Sequence, residues 1–247
     1  MAPQTTYSTH ALPCPQTSGS PPADFASIAQ RYATLRLEAL LTSPKAFASS
    51  HAIESTFTLE EWAACIWKDD RVVLVCVAHP ASQDAEGAEG SPLTGDWVGS
   101  AILRGPLSAR DYALPPEGGA PPVGMDDVET KWQMTAVFAS AAHRGRGIGK
   151  MLIQAGKDYA LKQTANPRAG LRVMIHPDNL VVLSLYSATG FVDAGRTTGK
   201  EAYRTNGDIS SWALKLKSLT EEEKVYWSTA RVAVVLEWLG QTRTQLD

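Results

Sequence analysis

The segment His143-Arg-Gly-Arg-Gly-Ile-Gly-Lys150 lies between a predicted strand, Met134 to Ala139, and a predicted helix from about Lys150 to Gln163. Glycines at a strand-to-helix junction allow several backbone N–H groups to converge on an anion at the start of the helix. They lack the side chains that would block a close approach, and the neighbouring basic residues add positive charge. The segment therefore predicts a phosphate site. We call residues 144–150 the glycine loop.

The spacing of the glycine loop weakens the case for two common nucleotide sites. A Walker A loop, G-x-x-x-x-G-K-[ST], would place its first glycine at Arg144 and its hydroxyl at Met151. A dinucleotide fingerprint, G-x-G-x-x-G, needs its third glycine one residue later than Gly149. The loop instead fits the pattern [RQ]-x-x-G-x-[GA], as Arg144-x-x-Gly147-x-Gly149.

A second motif follows the loop. It consists of Asn179, Leu185-Tyr186 and Gly190-Phe191. Together the two motifs resemble the GNAT superfamily of acyl-CoA-dependent N-acyltransferases, whose second motif is N-x-x-A-x-x-L-Y-x-x-x-G-F. Val182 stands where that pattern has alanine, which changes a side-chain volume and removes no chemistry. The resemblance covers roughly residues 132–192.

The resemblance implies a mixed α/β fold of three layers. We expect a central, mostly antiparallel twisted sheet, splayed at the strands that bind CoA, with helices on both faces and an extra C-terminal helix. The amphipathic pattern of residues 24–41 and the capping box Thr58-Leu-Glu-Glu61 predict the first helices. Residues 72–78 and 97–103 predict buried strands.

The end of the chain is predicted from periodicity alone. Trp212 to Leu216 alternates like a last strand, and Thr220-Glu-Glu-Glu223 opens a predicted final helix with an apolar stripe from Val225 to Leu239. We expect this stripe to pack on its own sheet or on a second subunit, which would make a homodimer. The predicted domains are a flexible leader at 1–23, an acyltransferase domain at 24–217 with insertions at 81–95 and 106–130, and a C-terminal helical extension at 218–247.

The resemblance also implies how the acyl donor binds. The glycine loop would hold the pyrophosphate of acetyl-CoA, and the pantetheine would pair with the backbone at the end of the preceding strand. A backbone N–H there would stabilise the oxyanion of the tetrahedral intermediate. The residues implied to bind acetyl-CoA are Val137, Phe138, Ala139, Arg144, Gly145, Arg146, Gly147, Ile148, Gly149, Lys150, Asn179 and Tyr186.

Three residues are candidates for proton transfer. Tyr186 holds the family position of a phenol that protonates the departing thiolate, and its alternative is a hydrogen-bonded core aromatic. Glu129 and His176 are candidate bases, with Asp178 beside His176. Glu129 also fits a solvated acidic loop, His176 also fits a strand end before Pro177, and a water chain is a further alternative.

The implied function is N-acetylation of a primary amine, with a small molecule preferred as acceptor. A peptide or protein acceptor, and a non-catalytic CoA-binding regulatory domain, are the alternatives. O-acylation would call for a stronger base near the acceptor, which the sequence does not single out.

Composition narrows the classes of partner. The 247 residues are 44% hydrophobic with a net charge of −3, which predicts a globular chain with no large basic surface for nucleic acid. We found no apolar run long enough for a membrane helix and no signal-peptide pattern, so we expect a cytoplasmic protein without a membrane partner. Three cysteines without C-x-x-C spacing and five scattered histidines give no metal-site pattern.

Overall fold

The computed structural model describes residues 5–79 and 93–242. The chain divides into two compact units, Met1–Ile102 with Ala136–Ala155, and Leu103–Thr135 with Gly156–Asp247. Three elements have residues in both units: strand β3 (Asp96–Leu107), strand β4 (Glu129–Ala139) and helix α5 (Ile148–Lys162).

The first unit contains strands and three helices that lie wholly within it. It contains β1 (Thr6–Ala11), α1 (Phe25–Thr42), α2 (His51–Glu54), α3 (Leu59–Ile66) and β2 (Arg71–His79), with the beginning of β3, the end of β4 and the beginning of α5.

The second unit contains the rest of the described chain. Its elements are α4 (Ala109–Tyr112), β5 (Arg168–Ile175), α6 (Leu180–Ser187), β6 (Val192–Thr197), α7 (Gly199–Asn206), α8 (Ile209–Lys217), α9 (Glu221–Thr229) and β7 (Ala233–Gln241), with the remaining parts of β3, β4 and α5.

The pairing of the seven strands confirms a mixed α/β fold that is mostly antiparallel. In the first unit the neighbours are β1-β2-β3-β4, and in the second they are β4-β5-β7-β6. Strands β4 and β5 are parallel, whereas β1 with β2, β5 with β7 and β6 with β7 are antiparallel. The β4–β5 register ends at Gln133↔Arg172, while β5 continues with β7 to Ile175↔Val234.

The core of the first unit forms where the helices cover the strands. The apolar face of α1 buries Phe25, Ile28, Tyr32 and Leu35, as the three- and four-residue spacing predicts. The Thr58–Glu61 capping box is present at α3, and it directs Trp62 into the same core, where its ring meets Tyr32 edge-on at 6.1 Å. The predicted amphipathic helices are therefore confirmed.

The prediction of a flexible leader at 1–23 is wrong for the residues from Thr6 onward. Thr6 to Ala11 pair with β2 in an antiparallel register, from Thr6↔His79 to Ala11↔Leu74. Leu12 and Cys14 then enter the interior, each 1% exposed. Local composition missed this strand because its stabilisation comes from a partner more than 60 residues away in sequence.

Two predictions about the end of the chain are also wrong. Trp212 to Leu216 belongs to helix α8 and not to a strand. Trp212 is the buried residue of this helix, and its ring centroid lies 5.4 Å from that of Tyr203 in α7, with the ring planes tilted by 56°. The predicted final helix ends at Thr229, and residues 233–241 form strand β7 between β5 and β6. Residues 233–236 are buried in succession, as in a strand covered on both faces, and the β-branched Val234 and Val235 favour a strand.

The first predicted insertion lies mostly outside the described residues, and the second is shorter than predicted. Residues 80–92, most of the predicted insertion 81–95, lie outside the described residues. The insertion 106–130 is shorter than predicted because β3 extends to Leu107 and β4 begins at Glu129, with the short helix α4 between them. The predicted domain boundaries, including the extension from 218, stay a prediction.

A matched pair of leucines tests whether the N-terminal segment is part of the folded core. Leu12→Ala removes a side chain that is 1% exposed, so we expect it to lower the free energy of unfolding by about 2–5 kcal/mol. Leu41→Ala, at a position that is 62% exposed, should change it by less than about 0.5 kcal/mol. Urea unfolding of the full chain measures both. Equal effects would mean that the segment after β1 is not packed.

Candidate functional site

The glycine loop makes a tight turn before α5. Gly145 and Gly147 have φ angles of +75° and +80°, in the left-handed region that glycine enters without strain. A Cβ built on either glycine would meet no other atom within 4 Å, so the space beside both is open. Helix α5 starts directly afterwards at Ile148, which places its first unpaired N–H groups at this opening.

The entry to the loop is fixed by hydrogen bonds within the first unit. The Ser140 N–H donates to the Val98 carbonyl at 2.8 Å, and the Ser140 hydroxyl donates to Glu38 Oε1 at 2.6 Å. Arg144 donates to the Ala139 carbonyl at 3.4 Å and to the Ser43 hydroxyl at 3.3 Å. Arg144 is therefore partly engaged by the protein, whereas the side chains of Arg146 and Lys150 are exposed.

The start of α5 rests on β3. Ile148 is 2% exposed, and a Cβ added to Gly99 would lie 2.7 Å from its side chain. Gly99 is a residue that sequence reasoning missed. Its signal was a single glycine inside a buried strand, which often marks a close approach of another segment.

The N-terminal strand also reaches the loop. The Tyr7 hydroxyl lies 3.1 Å from Nδ1 of His143, and the two rings meet edge-on with centroids 5.9 Å apart. Tyr7 belonged to the segment that we expected to be flexible. It contacts the residue directly before the glycine loop.

The end of β4 has an unusual backbone. Ala136 has φ of +53°, the one positive φ among the described residues other than glycine, and such a conformation costs about 1–2 kcal/mol. The strand therefore changes direction before its last three residues, Val137, Phe138 and Ala139. Phe138 turns into the core at 4% exposure, and its two neighbours are half-buried.

Tyr186 lies in the interior of the second unit. It is 3% exposed, its hydroxyl donates to Sδ of Met134 at 3.7 Å, and its ring meets Phe191 edge-on at 5.0 Å. Burial raises the pKa of the Tyr186 hydroxyl well above its ordinary value, because the phenolate would lose its hydration. The side chain is thus a neutral hydrogen-bond donor whose present acceptor, a thioether, is weak.

Asn179 has a structural role that the sequence motif did not reveal. It is the N-cap of α6, and its Oδ1 accepts a hydrogen bond from the Val182 N–H at 3.4 Å. The cap sets the start of the helix that carries Tyr186.

The two candidate bases belong to the second unit and have different surroundings. His176 is 46% exposed, and its Nδ1 accepts from the Asp178 N–H at 3.3 Å, so the neutral ring carries its proton on Nε2. Glu129 is the first residue of β4 and is 11% exposed, with Arg168 Nη2 at 3.9 Å. Asp126, three residues before Glu129, pairs with the buried Lys131 at 2.9 Å.

The described part of the chain shows neither a metal-binding cluster nor a membrane-spanning helix. Residues 5–79 and 93–242 hold no group of three or more His, Cys, Asp and Glu side chains arranged for a metal ion. None of the helices there combines the length and the hydropathy that a membrane crossing needs.

Part of the sequence matches a known protein family. Residues 95–191 match the sequence model of the acetyltransferase (GNAT) family. This range includes the glycine loop and the motif from Asn179 to Phe191. The chain matches no curated protein sequence at a significant level.

Solved structures show the same fold. An acetyltransferase of the GNAT family from Streptococcus pneumoniae is 12% identical with a TM-score of 0.52, over 95% of this chain and 100% of that chain. Arabidopsis thaliana NAA60 in complex with a bisubstrate analogue is 12% identical with a TM-score of 0.50, over 95% and 100%. At these identities the likeness shows the fold alone, and the family rests on the sequence match. The chain thus carries an acyltransferase domain of the acetyltransferase (GNAT) family in residues 95–191.

Proposed function

We propose that the protein transfers the acetyl group of acetyl-CoA to a primary amine of a small molecule. The observation that carries this function is the open turn at Gly145 and Gly147, directly before the N-terminus of α5. A pyrophosphate accepts hydrogen bonds from backbone N–H groups in such a turn, and the helix dipole favours its negative charge. The family of residues 95–191 supports acyl-CoA as the donor.

The side chains of the loop fit this ligand. Arg146 and Lys150 are exposed and free to approach phosphate oxygens, while Arg144 braces the turn through Ala139 and Ser43. The remaining hydrogen-bond donors of the glycine loop are backbone N–H groups, which need no particular side chain. The residues proposed to hold the pyrophosphate are Arg144, Gly145, Arg146, Gly147, Ile148, Gly149 and Lys150.

The end of β4 is proposed to bind the pantetheine arm and the thioester. The positive φ of Ala136 redirects the strand, and the backbone of Val137 to Ala139 would pair with the amides of pantetheine. A backbone N–H from the same residues would donate to the thioester oxygen. That bond strengthens as the oxygen becomes an oxyanion, which lowers the barrier to attack.

The reaction is a direct transfer. The neutral amine nitrogen attacks the thioester carbon, and the tetrahedral intermediate collapses with cleavage of the C–S bond, so that CoA leaves as a thiolate. Tyr186 is proposed to donate a proton or a hydrogen bond to the thiolate sulfur. Its raised pKa keeps the phenol protonated, as this role requires.

Water is proposed as the acceptor of the amine proton. His176 would have to change tautomer before Nε2 could accept a proton, because its Nδ1 is already an acceptor. Glu129 begins β4, whereas the residues proposed to hold the thioester end it. We therefore assign neither side chain the role of base.

Binding of the donor is the first test. Saturating CoA and acetyl-CoA should stabilise the native protein by about 2.7 kcal/mol at a hundredfold excess over Kd, whereas NAD and ATP should not. Gly147→Glu should abolish this stabilisation by CoA because it places a carboxylate at the proposed pyrophosphate site. Gly119→Glu is the matched control, since Gly119 has the same left-handed φ, +77°, and equally open space. Stabilisation by ATP or NAD in place of CoA would contradict the donor assignment.

Tyr186→Phe tests the proposed donation from Tyr186 to the leaving sulfur. It removes one hydroxyl whose partner is a thioether, so the fold should persist while kcat falls by about 10²–10⁴ and the Kd for CoA is unchanged. Release of free thiol from acetyl-CoA in the presence of small amines and of peptide amines measures the rate and separates the acceptor classes. Tyr159→Phe, a second buried tyrosine, is the control. An unchanged rate in Tyr186→Phe would exclude the hydroxyl from the mechanism.

Variants of Asn179 separate its role as the N-cap of α6 from its proposed role in binding acetyl-CoA. Asn179→Ala should lower the free energy of unfolding by about 1 kcal/mol through loss of the cap, and Asn179→Ser should restore most of it. If Asn179 also binds acetyl-CoA, both variants should raise the Kd for CoA measured by calorimetry. An unchanged Kd in both would leave Asn179 as a cap alone.

A further inference from the structure

A small cavity in the second unit lies beside the N-terminus of helix α7. Its volume is about 230 Å³, and it is lined by residues of the segment 115–118, of the end of β6 and of the junction between α9 and β7. All of these residues belong to the second unit. The volume is below the range of about 300–1,000 Å³ that is usual for drug-sized ligands, so the cavity fits a small chemical group.

The start of α7 brings unpaired backbone donors to this cavity. Thr198, the N-cap, lines the cavity, and its hydroxyl accepts a hydrogen bond from the Glu201 N–H at 3.2 Å. The helix itself offers no acceptor to the N–H groups of Gly199 and Lys200, the first two of its eight residues. Such N–H groups and the helix dipole together favour a negatively charged ligand.

A buried hydroxyl at the cavity lacks a hydrogen-bond partner. Thr197, the last residue of β6, lines the cavity and is 4% exposed. Its Oγ1 has no donor or acceptor within hydrogen-bond distance among the described residues. Burial of a hydroxyl without a partner is unfavourable, and few buried polar groups in folded proteins are left in this state. A ligand oxygen in the cavity would supply the missing partner.

Two guanidinium groups line the same cavity. Arg231 is exposed and forms no hydrogen bond or ion pair with the described residues. Arg196 donates from Nη1 to both carboxylate oxygens of Asp193, at 2.7 and 2.8 Å, so its Nε and Nη2 have no partner among these residues. The carboxylate of Glu117 also lines the cavity and is exposed. Two positive charges against one negative charge leave this lining net positive.

This combination of donors fits a phosphate group. A planar guanidinium matches two phosphate oxygens at once, and hydroxyl and backbone N–H groups donate to the same kind of acceptor. The donors here come from β6, from α7 and from the junction after α9, so they surround the cavity on several sides. A tetrahedral phosphate presents oxygens in several directions, whereas a planar carboxylate presents only two. The geometry therefore favours a phosphate over a carboxylate.

We propose that this cavity binds a phosphate group, either free or at the end of a phosphomonoester. The phosphate accepts hydrogen bonds from the Thr197 hydroxyl, from the first N–H groups of α7 and from the guanidiniums of Arg196 and Arg231. The site uses no residue of the glycine loop and none assigned to acyl transfer, so it does not depend on the proposed function.

Isothermal titration calorimetry of the full chain with inorganic phosphate, glycerol 3-phosphate and glycerol tests the class of ligand. We expect saturable binding of both phosphates and no binding of glycerol. Tighter binding of glycerol 3-phosphate would identify a phosphomonoester as the ligand, and tighter binding of inorganic phosphate would identify the free anion. Absence of saturable binding by both phosphates, or equal binding of glycerol, would overturn the proposal.

Two variants test which residues bind the phosphate. Arg231→Gln and Thr197→Val should each weaken phosphate binding about tenfold or more, as loss of a hydrogen bond to a charged group implies. Arg110→Gln is the matched control, because it removes the same charge from an exposed position that does not line the cavity, and it should leave the affinity unchanged. Equal effects of Arg110→Gln and Arg231→Gln would mean that net charge alone attracts phosphate, and would overturn the site.

Thr197→Val also separates ligand binding from a structural role. It keeps the shape of the side chain and removes a hydroxyl that has no protein partner, so urea unfolding without phosphate should show no loss of stability. A loss of stability there would show that the protein already satisfies the hydroxyl. The same titrations in Gly147→Glu distinguish this site from the glycine loop. Phosphate binding that disappears in Gly147→Glu and persists in Thr197→Val would belong to the glycine loop and would overturn the proposal.

Discussion

The contact between Gly99 and Ile148 determines where α5 begins and therefore where the glycine loop opens. Ile148 is the first residue of the helix and fits against β3 because position 99 has no side chain. At the other side of the turn, the Ser140 N–H donates to the carbonyl of Val98, the residue of β3 directly before Gly99. With both ends fixed on one strand, the intervening residues form a tight turn in which Gly145 and Gly147 adopt the left-handed backbone that glycine enters without strain. The open turn is thus a consequence of packing in the first unit and not of the loop sequence alone.

Sequence reasoning found the glycine loop and the α6 motif because both depend on local chemistry. A left-handed turn needs glycine, and a helix that starts after a strand leaves N–H groups unpaired whatever the surroundings. Strands β1 and β7 were missed because each is stabilised by a partner distant in sequence, β2 for one and β5 with β6 for the other. The apolar residues of β7 also fit the spacing of a helical stripe. Their pairing with β5 and β6 decides in favour of a strand.

The buried polar side chains of the second unit could not be predicted from the sequence either. Lys131, Gln133 and Arg172 lie in strand interiors and are at most 1% exposed. Their sequence neighbours Trp132 and Leu171 are equally buried, so hydrophobic alternation gave no hint that the other face was covered. Gln133 accepts from Arg172 at 2.8 Å and donates to Asn206 of α7 at 2.9 Å, which offsets most of the cost of burial. The covering elements come from the insertion and from the C-terminal third, whose arrangement no local pattern encodes.

In the proposed reaction, the buried state of Tyr186 limits how its hydroxyl would assist the departure of CoA. An ordinary thiol has a pKa of about 8.5 and a phenol about 10, so full proton transfer from phenol to thiolate is uphill even in water. Burial raises the pKa of Tyr186 further and makes that transfer more costly. Donation of a hydrogen bond needs no such transfer, and it gains strength as negative charge develops on sulfur. The hydroxyl already donates to the sulfur of Met134, and exchange of this weak acceptor for an anionic one costs little. We therefore favour stabilisation of the leaving thiolate by Tyr186, with the proton finally supplied by solvent after CoA departs.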